Sequence, residues 1–266
     1  MSRPTVHLVD GTFELFRCFH GAPRASVDGR EVGALRGLLA TLRKLLRTAD
    51  HAAVVFDPMA PPRRGDRSAD ALLRSQARGA LDVVRALGLP CWVTPRGQAD
   101  DLLASAAAAY RDRARVVVCT TDKDLLQCVR GRDVVVWDRI RDRVTDEDAL
   151  RERFGVGPEQ VPDLQALVGD PSDGLPGVPG WGLRSAAAVL AVHRRLEDVP
   201  DDAERWEVRP RGAARLAASL RAHRADALVV RDVATLRTDL PVRVPVEALA
   251  WRGAPAEAAD VLSALE

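Results

Sequence analysis

Three apolar, β-branched segments of this chain run directly into aspartate. Thr5 to Val9 leads to Asp10, Ala52-Ala53-Val54-Val55-Phe56 to Asp57, and Arg115 to Thr120 is followed by Asp122 and Asp124. Continuous apolar runs without alternation mark strands covered on both faces, as in a parallel sheet between helices. Helical patterns separate them. From Val32 to Thr48, Leu35, Leu38, Leu39, Leu42, Leu45 and Leu46 recur at three- and four-residue spacing. Ala69 to Leu87 predicts a second helix stopped by Gly88, Pro90 to Thr94 a short strand, and Gln98 to Arg111 an alanine-rich helix. Asp122 to Val129 reads as a short helix and Asp133 to Asp138 as a further strand. The expected fold class is α/β, a mostly parallel central sheet flanked by helices.

Beyond about residue 146 the strand signal fades. Asp146 to Val168 predicts two helices separated by Gly155-Val156-Gly157-Pro158, and a segment rich in glycine and proline follows over 169–182. Helices are expected over 183–195, 211–224 and 225–236. This gives an α/β core over 1–160, a helical module over 161–238, and a tail over 239–266 that packs back on the core.

At 266 residues with 47% hydrophobic and 29% charged residues, the chain has the balance of a globular protein and not of a disordered or fibrous one. No apolar run approaches the roughly 20 residues of a membrane span, and Met1 to Pro4 shows no export signal. A cytoplasmic protein, associated with the bacterial nucleoid and without a membrane partner, is expected. Cys18, Cys91, Cys119 and Cys128 lack paired spacing and read as free thiols. The five histidines form no zinc pattern with them.

The carboxylates carry the chemistry. Asp10, Asp57, Asp122 and Asp124 fall at the C-terminal ends of strands, the edge where open parallel sheets build their sites. Asp100 and Asp101 open a helix, and Asp170 and Asp173 are spaced to share a helical face. Any one of these aspartates is equally well read as a helix cap or turn residue. Eight together would repel one another unless cations intervene. Oxygen-only ligands select Mg²⁺ or Mn²⁺ over zinc, and two such ions about 4 Å apart suit phosphodiester cleavage. The formal charge is only +1, with 39 basic and 38 acidic residues. Setting the eight aspartates aside leaves 39 basic against 30 acidic, a surplus of nine that suits a polyanionic partner. The hairpin from Gly174 to Gly182, leading into Leu183-Arg184-Ser185, lets Gly177, Val178, Gly180 and Gly182 bring backbone N–H groups to phosphate at a helix start.

These residues resemble the 5′ nuclease family, the flap endonucleases and the 5′ to 3′ exonuclease domain of bacterial DNA polymerase I. The similarity runs in order through Leu8-Val9-Asp10-Gly11 with Arg17 and His20, Val55-Phe56-Asp57, Ala99-Asp100-Asp101, Thr121-Asp122-Lys123-Asp124, Gly169-Asp170 to Asp173, and Pro176-Gly177-Val178-Pro179-Gly180. Arg211-Gly212-Ala213 and Ala234 to Asp239 also look like later helices of the family. The resemblance implies a PIN-like nuclease core with a C-terminal helix-three-turn-helix module gripping duplex DNA, often around a bound K⁺. It implies that all eight aspartates hold two metal ions directly or through water, with Asp10, Asp57, Asp122 and Arg17 in catalytic roles. It also implies DNA contacts by Gly177, Val178, Gly180, Gly182, Arg184, Ser185, Arg63 and Arg64. The expected protein is a monomeric nuclease of replication and repair. Its partners are branched, flapped, gapped or 5′-ended DNA, with RNA primer ends as a second substrate class.

Two departures stand out. Gln98 occupies a position where the family usually carries glutamate, which removes one negative charge. The long basic and aromatic arch of the family is reduced to Pro58 to Ser68. Trp181 replaces a usual aliphatic residue and reads either as packing between the hairpin helices or as an edge presented to a sugar. Phe16 and Phe19 suit core packing and base stacking equally. A haloacid dehalogenase-type phosphatase is suggested by Asp10-Gly11-Thr12, but Leu8 stands where its nucleophilic aspartate belongs. An RNA-cleaving PIN nuclease would not predict the long helical module. The non-enzymatic alternative is a structure-specific DNA-binding protein with reduced catalysis.

Overall fold

The computed structural model describes residues 3–59, 68–94, 97–172 and 174–265. In chain order it contains β1 (Thr5–Asp10), α1 (Gly11–Gly21), β2 (Ser26–Val27), β3 (Arg30–Glu31), α2 (Gly33–Leu45), β4 (His51–Phe56), α3 (Ala69–Ala86), β5 (Cys91–Val93), α4 (Ala99–Tyr110) and β6 (Arg115–Cys119). There follow β7 (Val134–Asp138), β8 (Arg143–Thr145), α5 (Glu147–Phe154), α6 (Val161–Val168), α7 (Leu183–His193), α8 (Ala213–Ala234) and α9 (Ala259–Ser263). Short 3₁₀ turns lie between, including Asp124–Cys128, where the sequence suggested a short helix. Among the described residues no helix is long and apolar enough to cross a membrane.

The chain packs as two units. The first runs to Thr121 and adds Trp137–Asp142 and the chain from Arg237 onward; the second holds Asp122–Val136 and Arg143–Leu236. In the first, the strand order is β5-β4-β1-β6 and every pairing is parallel. Asp10 lies opposite Val55, so β1 and β4 reach the same edge together. Val6, Leu8, Val54, Val55, Val116 and Val118 are fully buried, as continuous β-branched runs require of strands covered on both faces. The α2 leucines that set the expected helix are buried to the last one. Each contributes about 1.5–3 kcal/mol. Leu103, Ala104, Ala106 and Ala107 give α4 a nearly flat buried face, which lets it lie close against the sheet.

Two elements were not read from the sequence. Helix α1 buries Gly11, Glu14, Leu15, Cys18 and Phe19 at helical spacing, and the Asp10 side chain accepts from Phe13 N–H at 2.9 Å and caps it. The β2–β3 hairpin is too short to show alternation. The helix expected to break between 224 and 225 is instead the single 22-residue α8. It contains no glycine or proline, and Arg224 ties its middle to Leu196 O, Val199 O and Asp201.

Contacts group the segments on either side of Trp137–Asp142 with the helices that follow. Residues 122–136 and 143–160 belong with the helical unit: Gln127 donates to Ala234 O at 2.7 Å and accepts from Leu236 N–H at 3.1 Å. The tail does return to the first unit. Tyr110 donates to Val244 O at 2.7 Å, and Trp251 donates through Nε1 to Leu87 O at 2.8 Å.

Candidate active site

In the first unit, local backbone geometry fixes each expected ligand. Asp10 is buried; one oxygen caps α1 and the other accepts from Thr120 Oγ1 at 3.0 Å. The Asp57 N–H donates to Thr12 Oγ1 at 2.8 Å, and its Oδ1 accepts from Ala99 N–H at 2.7 Å. That last bond brings the acidic start of α4, Asp100 and Asp101, to the edge where β1 and β4 end. Asp101 also accepts from Arg237 N–H at 2.9 Å, which fastens the start of the tail. Gln98 is exposed at the cap position of α4, and its side chain makes no capping bond.

Arg17 is held by residues that the sequence reading missed. It donates to the Glu14 carboxylate and to Thr41 Oγ1 at 2.6 Å. Arg139 donates to the other Glu14 oxygen at 3.0 Å and to Thr41 O at 2.7 Å. Glu14 is buried between these two guanidinium groups. The Glu14–Arg17 spacing was readable on a helix, but Arg139 carries no local signal. Phe16 is 50% exposed whereas Phe19 is buried, so the two aromatics part company. His20 packs edge-on to both rings.

In the second unit, Asp122 accepts from Asp124 N–H at 2.8 Å, and Asp124 accepts from Gln165 Nε2. The Lys123 ammonium lies 2.7 Å from Asp170 Oδ2. Burial would push the Asp170 carboxyl up, but hydrogen bonds from Lys123 and Ser172 outweigh it and hold it below the usual carboxylate range. Asp170 is not on a helix. Gly169, at φ +82°, ends α6, and Asp170 pairs with Leu175 in a turn. Asp173 lies outside the described residues, as do Arg63 and Arg64. Among the described residues, no three His, Cys, Asp or Glu side chains are drawn together at coordinating distance.

The hairpin between α6 and α7 requires its glycines. A Cβ on Gly177 would lie 2.4 Å from the Val168 carbonyl, and Gly180 sits at φ +84°. Val178 is buried and donates its N–H to Leu167 O at 2.9 Å, so it serves the turn and leaves no amide for phosphate. Trp181 takes the packing option, buried against Trp206 and donating through Nε1 to Leu216 O at 3.1 Å. Gly182 N–H and Ser185 Oγ bond each other at the start of α7. Among the described residues, the amides of Gly180, Leu183 and Arg184 have no acceptor, and all three residues are exposed. They form an anion-attracting helix start. The cysteines are free, and burial pushes the Cys119 thiol up to about 12, as an inert thiol requires.

The 5′-3′ exonuclease N-terminal resolvase-like domain family matches residues 5–155, and the 5′-3′ exonuclease C-terminal SAM fold family matches 156–257. DNA polymerase I of Pseudomonas aeruginosa is 35% identical over 271 residues, spanning 94% of this chain and 29% of that protein. The chain thus spans less than a third of that relative's length. The 5′-3′ exonuclease of Aquifex aeolicus is 29% identical over 216 residues, covering 76% of this chain and 74% of its own. The solved T5 5′-exonuclease with bound divalent metal ions (zinc) shares the fold at a TM-score of 0.70 and 18% identity, covering 98% of this chain and 96% of its own.

Proposed function

The chain belongs to the 5′-3′ exonuclease family, and on that premise we propose that it is a divalent-metal-dependent 5′ nuclease hydrolysing DNA phosphodiester bonds at 5′ ends or branched junctions. The observation that carries this reading is the shared edge of β1 and β4. Adjacent parallel strands end there at Asp10 and Asp57, and the Ala99 amide on Asp57 adds Asp100 and Asp101.

The ligand residues proposed are Asp10, Asp57, Asp100, Asp101, Asp122, Asp124, Asp170 and Asp173. The donors fit hard ions, being carboxylate oxygens without histidine or cysteine, and this supports Mg²⁺ or Mn²⁺. Among the described residues the second oxygen of Asp57 has no protein donor, so it is available to a cation. Two bound ions supply an activated water and charge stabilisation of the departing oxygen.

The remaining work falls to this chain's own side chains. Arg17, fixed by Glu14 and Thr41, contributes positive charge beside the phosphate. Phe16 offers an exposed ring to an unpaired base. Gly177, Gly180 and Gly182 keep the hairpin close to the duplex, with Arg184 and the first amides of α7 on backbone phosphates and Ser185 shaping the cap. Such contacts position DNA without reading its sequence. K⁺ at the hairpin, phosphate contacts from Arg63 and Arg64, RNA primer ends as substrates, a monomeric state and a place beside the nucleoid in the cytosol complete the proposal.

The test is cleavage of labelled flap, gapped, nicked and blunt DNA in Mg²⁺ or Mn²⁺, with Asp122→Ala as the inactive variant. Undiminished cleavage in excess chelator, or by Asp122→Ala, refutes the reading.

A further inference from the structure

Arg194 follows α7 with φ +62° and ψ −44°. Arg195 N–H closes back on His193 O at 2.7 Å, making a three-residue γ-turn of the rare positive-φ kind. Helix ends favour glycine where φ turns positive; here the position is arginine. Gln160 locks the turn from below. It is buried, its Nε2 donates to Leu190 O at 2.7 Å and Arg194 O at 3.0 Å, and its Oε1 accepts from Gly157 N–H at 3.0 Å. The end of α5 presses on α7 beside it, since a Cβ on Gly155 would lie 2.8 Å from the Ala187 Cβ.

Between these elements lies a depression of about 420 Å³, lined by Arg151, Glu159, Arg194 and Arg195 among others. Arg151 is bound to Glu147 at 2.7 Å. Among the described residues, the guanidinium groups of Arg194 and Arg195 have no ion pair and no hydrogen-bond acceptor. Glu159 is the one acid among the residues lining the depression. The Arg195 charge acts at a distance on Asp163 and Glu197, so what the strained turn holds is two adjacent arginines without a direct ion pair among the described residues, and such strain persists where a ligand gains from it. A guanidinium offers five donors in a fork that matches phosphate oxygens.

We propose that this depression is an anion site that takes a backbone phosphate of nucleic acid, a second contact at the far end of α7 from the hairpin. The 11 residues of α7 put the two contacts roughly 16 Å apart. The site carries charge and position, not sequence. The proposal rests on the nuclease reading for the identity of the polyanion.

Duplex DNA binding, measured in Ca²⁺ across 50–200 mM salt, tests it with Arg194→Gly, Arg195→Ala, the hairpin variant Gly180→Val, and Arg153→Ala as a control on α5 outside the depression. Loss of one phosphate contact lowers the salt slope by about 0.9, equivalent to about fivefold weaker binding at 0.15 M salt relative to 1 M. Arg194→Gly and Arg195→Ala should each show that loss, and Arg153→Ala should not. Arg194→Gly also relieves the turn, so its melting temperature should hold or rise while binding falls. Unchanged slopes in both pocket variants, with hairpin-dependent binding intact, overturn this proposal alone. An equal loss in Arg153→Ala overturns it as well, as does saturable binding of inorganic phosphate at the arginines without any effect on DNA. Failure of the wild type to bind duplex overturns the nuclease reading with it.

Discussion

Asp163 in α6 offers the clearest energetic prediction. It is 3% exposed, its side chain's one hydrogen bond among the described residues is a 3.3 Å contact from Leu196 N–H, and burial raises its carboxyl from 3.8 to about 6. Arg231 and Arg195 pull the other way without cancelling the burial, and Glu197 adds to it. Because the folded value lies above the unfolded one, the stability is fully present below about pH 3.8. It is lost as pH rises through about 6, where the folded state must carry a buried charge. A shift of about two units at 1.4 kcal/mol each corresponds to about 3 kcal/mol at neutral pH. Asp163→Asn keeps the acceptor for Leu196 N–H and removes the charge. Its amide N–H needs an acceptor as much as the O–H of the neutral acid does, so the two proteins should match near pH 4. At pH 7.5 the variant should be more stable by up to about 3 kcal/mol, roughly 6–12 °C in Tm for a chain of this length unfolding in one transition. Thermal melts of both proteins from pH 4 to 8 decide the matter. A difference that does not change with pH, or that favours the wild type at pH 7.5, would refute the assignment of a burial penalty to this carboxylate.

The remaining predictions concern the site. Gly177→Ala, which forces a methyl to within 2.4 Å of the Val168 carbonyl, should cost about 1–3 kcal/mol in urea unfolding and weaken duplex binding evenly across sequences; a sequence-dependent loss contradicts the hairpin's role. Glu14→Gln leaves Arg139 without its buried counter-charge and should destabilise the fold by about 3 kcal/mol or more, whereas a melt within 1 °C of wild type would show that the pair is not what holds Arg17. Gln98→Glu should lower the Mg²⁺ concentration for half-maximal cleavage about 10-fold or more while leaving DNA affinity in Ca²⁺ unchanged; an equal or higher midpoint means the amide is not limiting.

What the sequence disclosed follows from which forces are local. The strands around Val9, Val55 and Val118 were legible because burial on both faces writes a continuous apolar run, and α2 because its leucines repeat once per turn. Helix α1 was missed although Leu15, Cys18 and Phe19 recur at helical spacing, because its buried stripe includes the charged Glu14, whose counter-charge Arg139 lies far along the chain. The unbroken α8 depends on Arg224 reaching loop carbonyls nearly 30 residues upstream, and no local pattern records such a tie. The aspartates were visible as residue types at strand ends, but their holders were not. Thr12, Thr120 and Gln165 are ordinary polar residues until the fold sets them beside Asp57, Asp10 and Asp124. The ties of Gln127 were hidden for the same reason, because they reach residues more than 100 positions away.

For Asp10 and Asp57 the local bond at a helix start is compatible with the proposed ligand role. Asp10 caps α1 and Asp57 receives the first amide of α4, so each is fixed by the start of the helix it serves. The capping bonds orient these two carboxylates, and among the described residues the second oxygen of Asp57 carries no protein donor. The second unit reaches the same result with different donors: the Asp124 amide on Asp122, and Lys123 with Ser172 on Asp170. Lys123 differs from the rest because its ammonium is itself a cation. Where the other donors orient a carboxylate, Lys123 neutralises one, so Lys123→Met should free Asp170 and increase the affinity of the protein for Mn²⁺ in the absence of DNA. Calorimetric titration of Mn²⁺ into both proteins measures this directly. Equal affinities would mean that Asp170 is committed to Lys123 as a structural pair and takes no part in holding an ion.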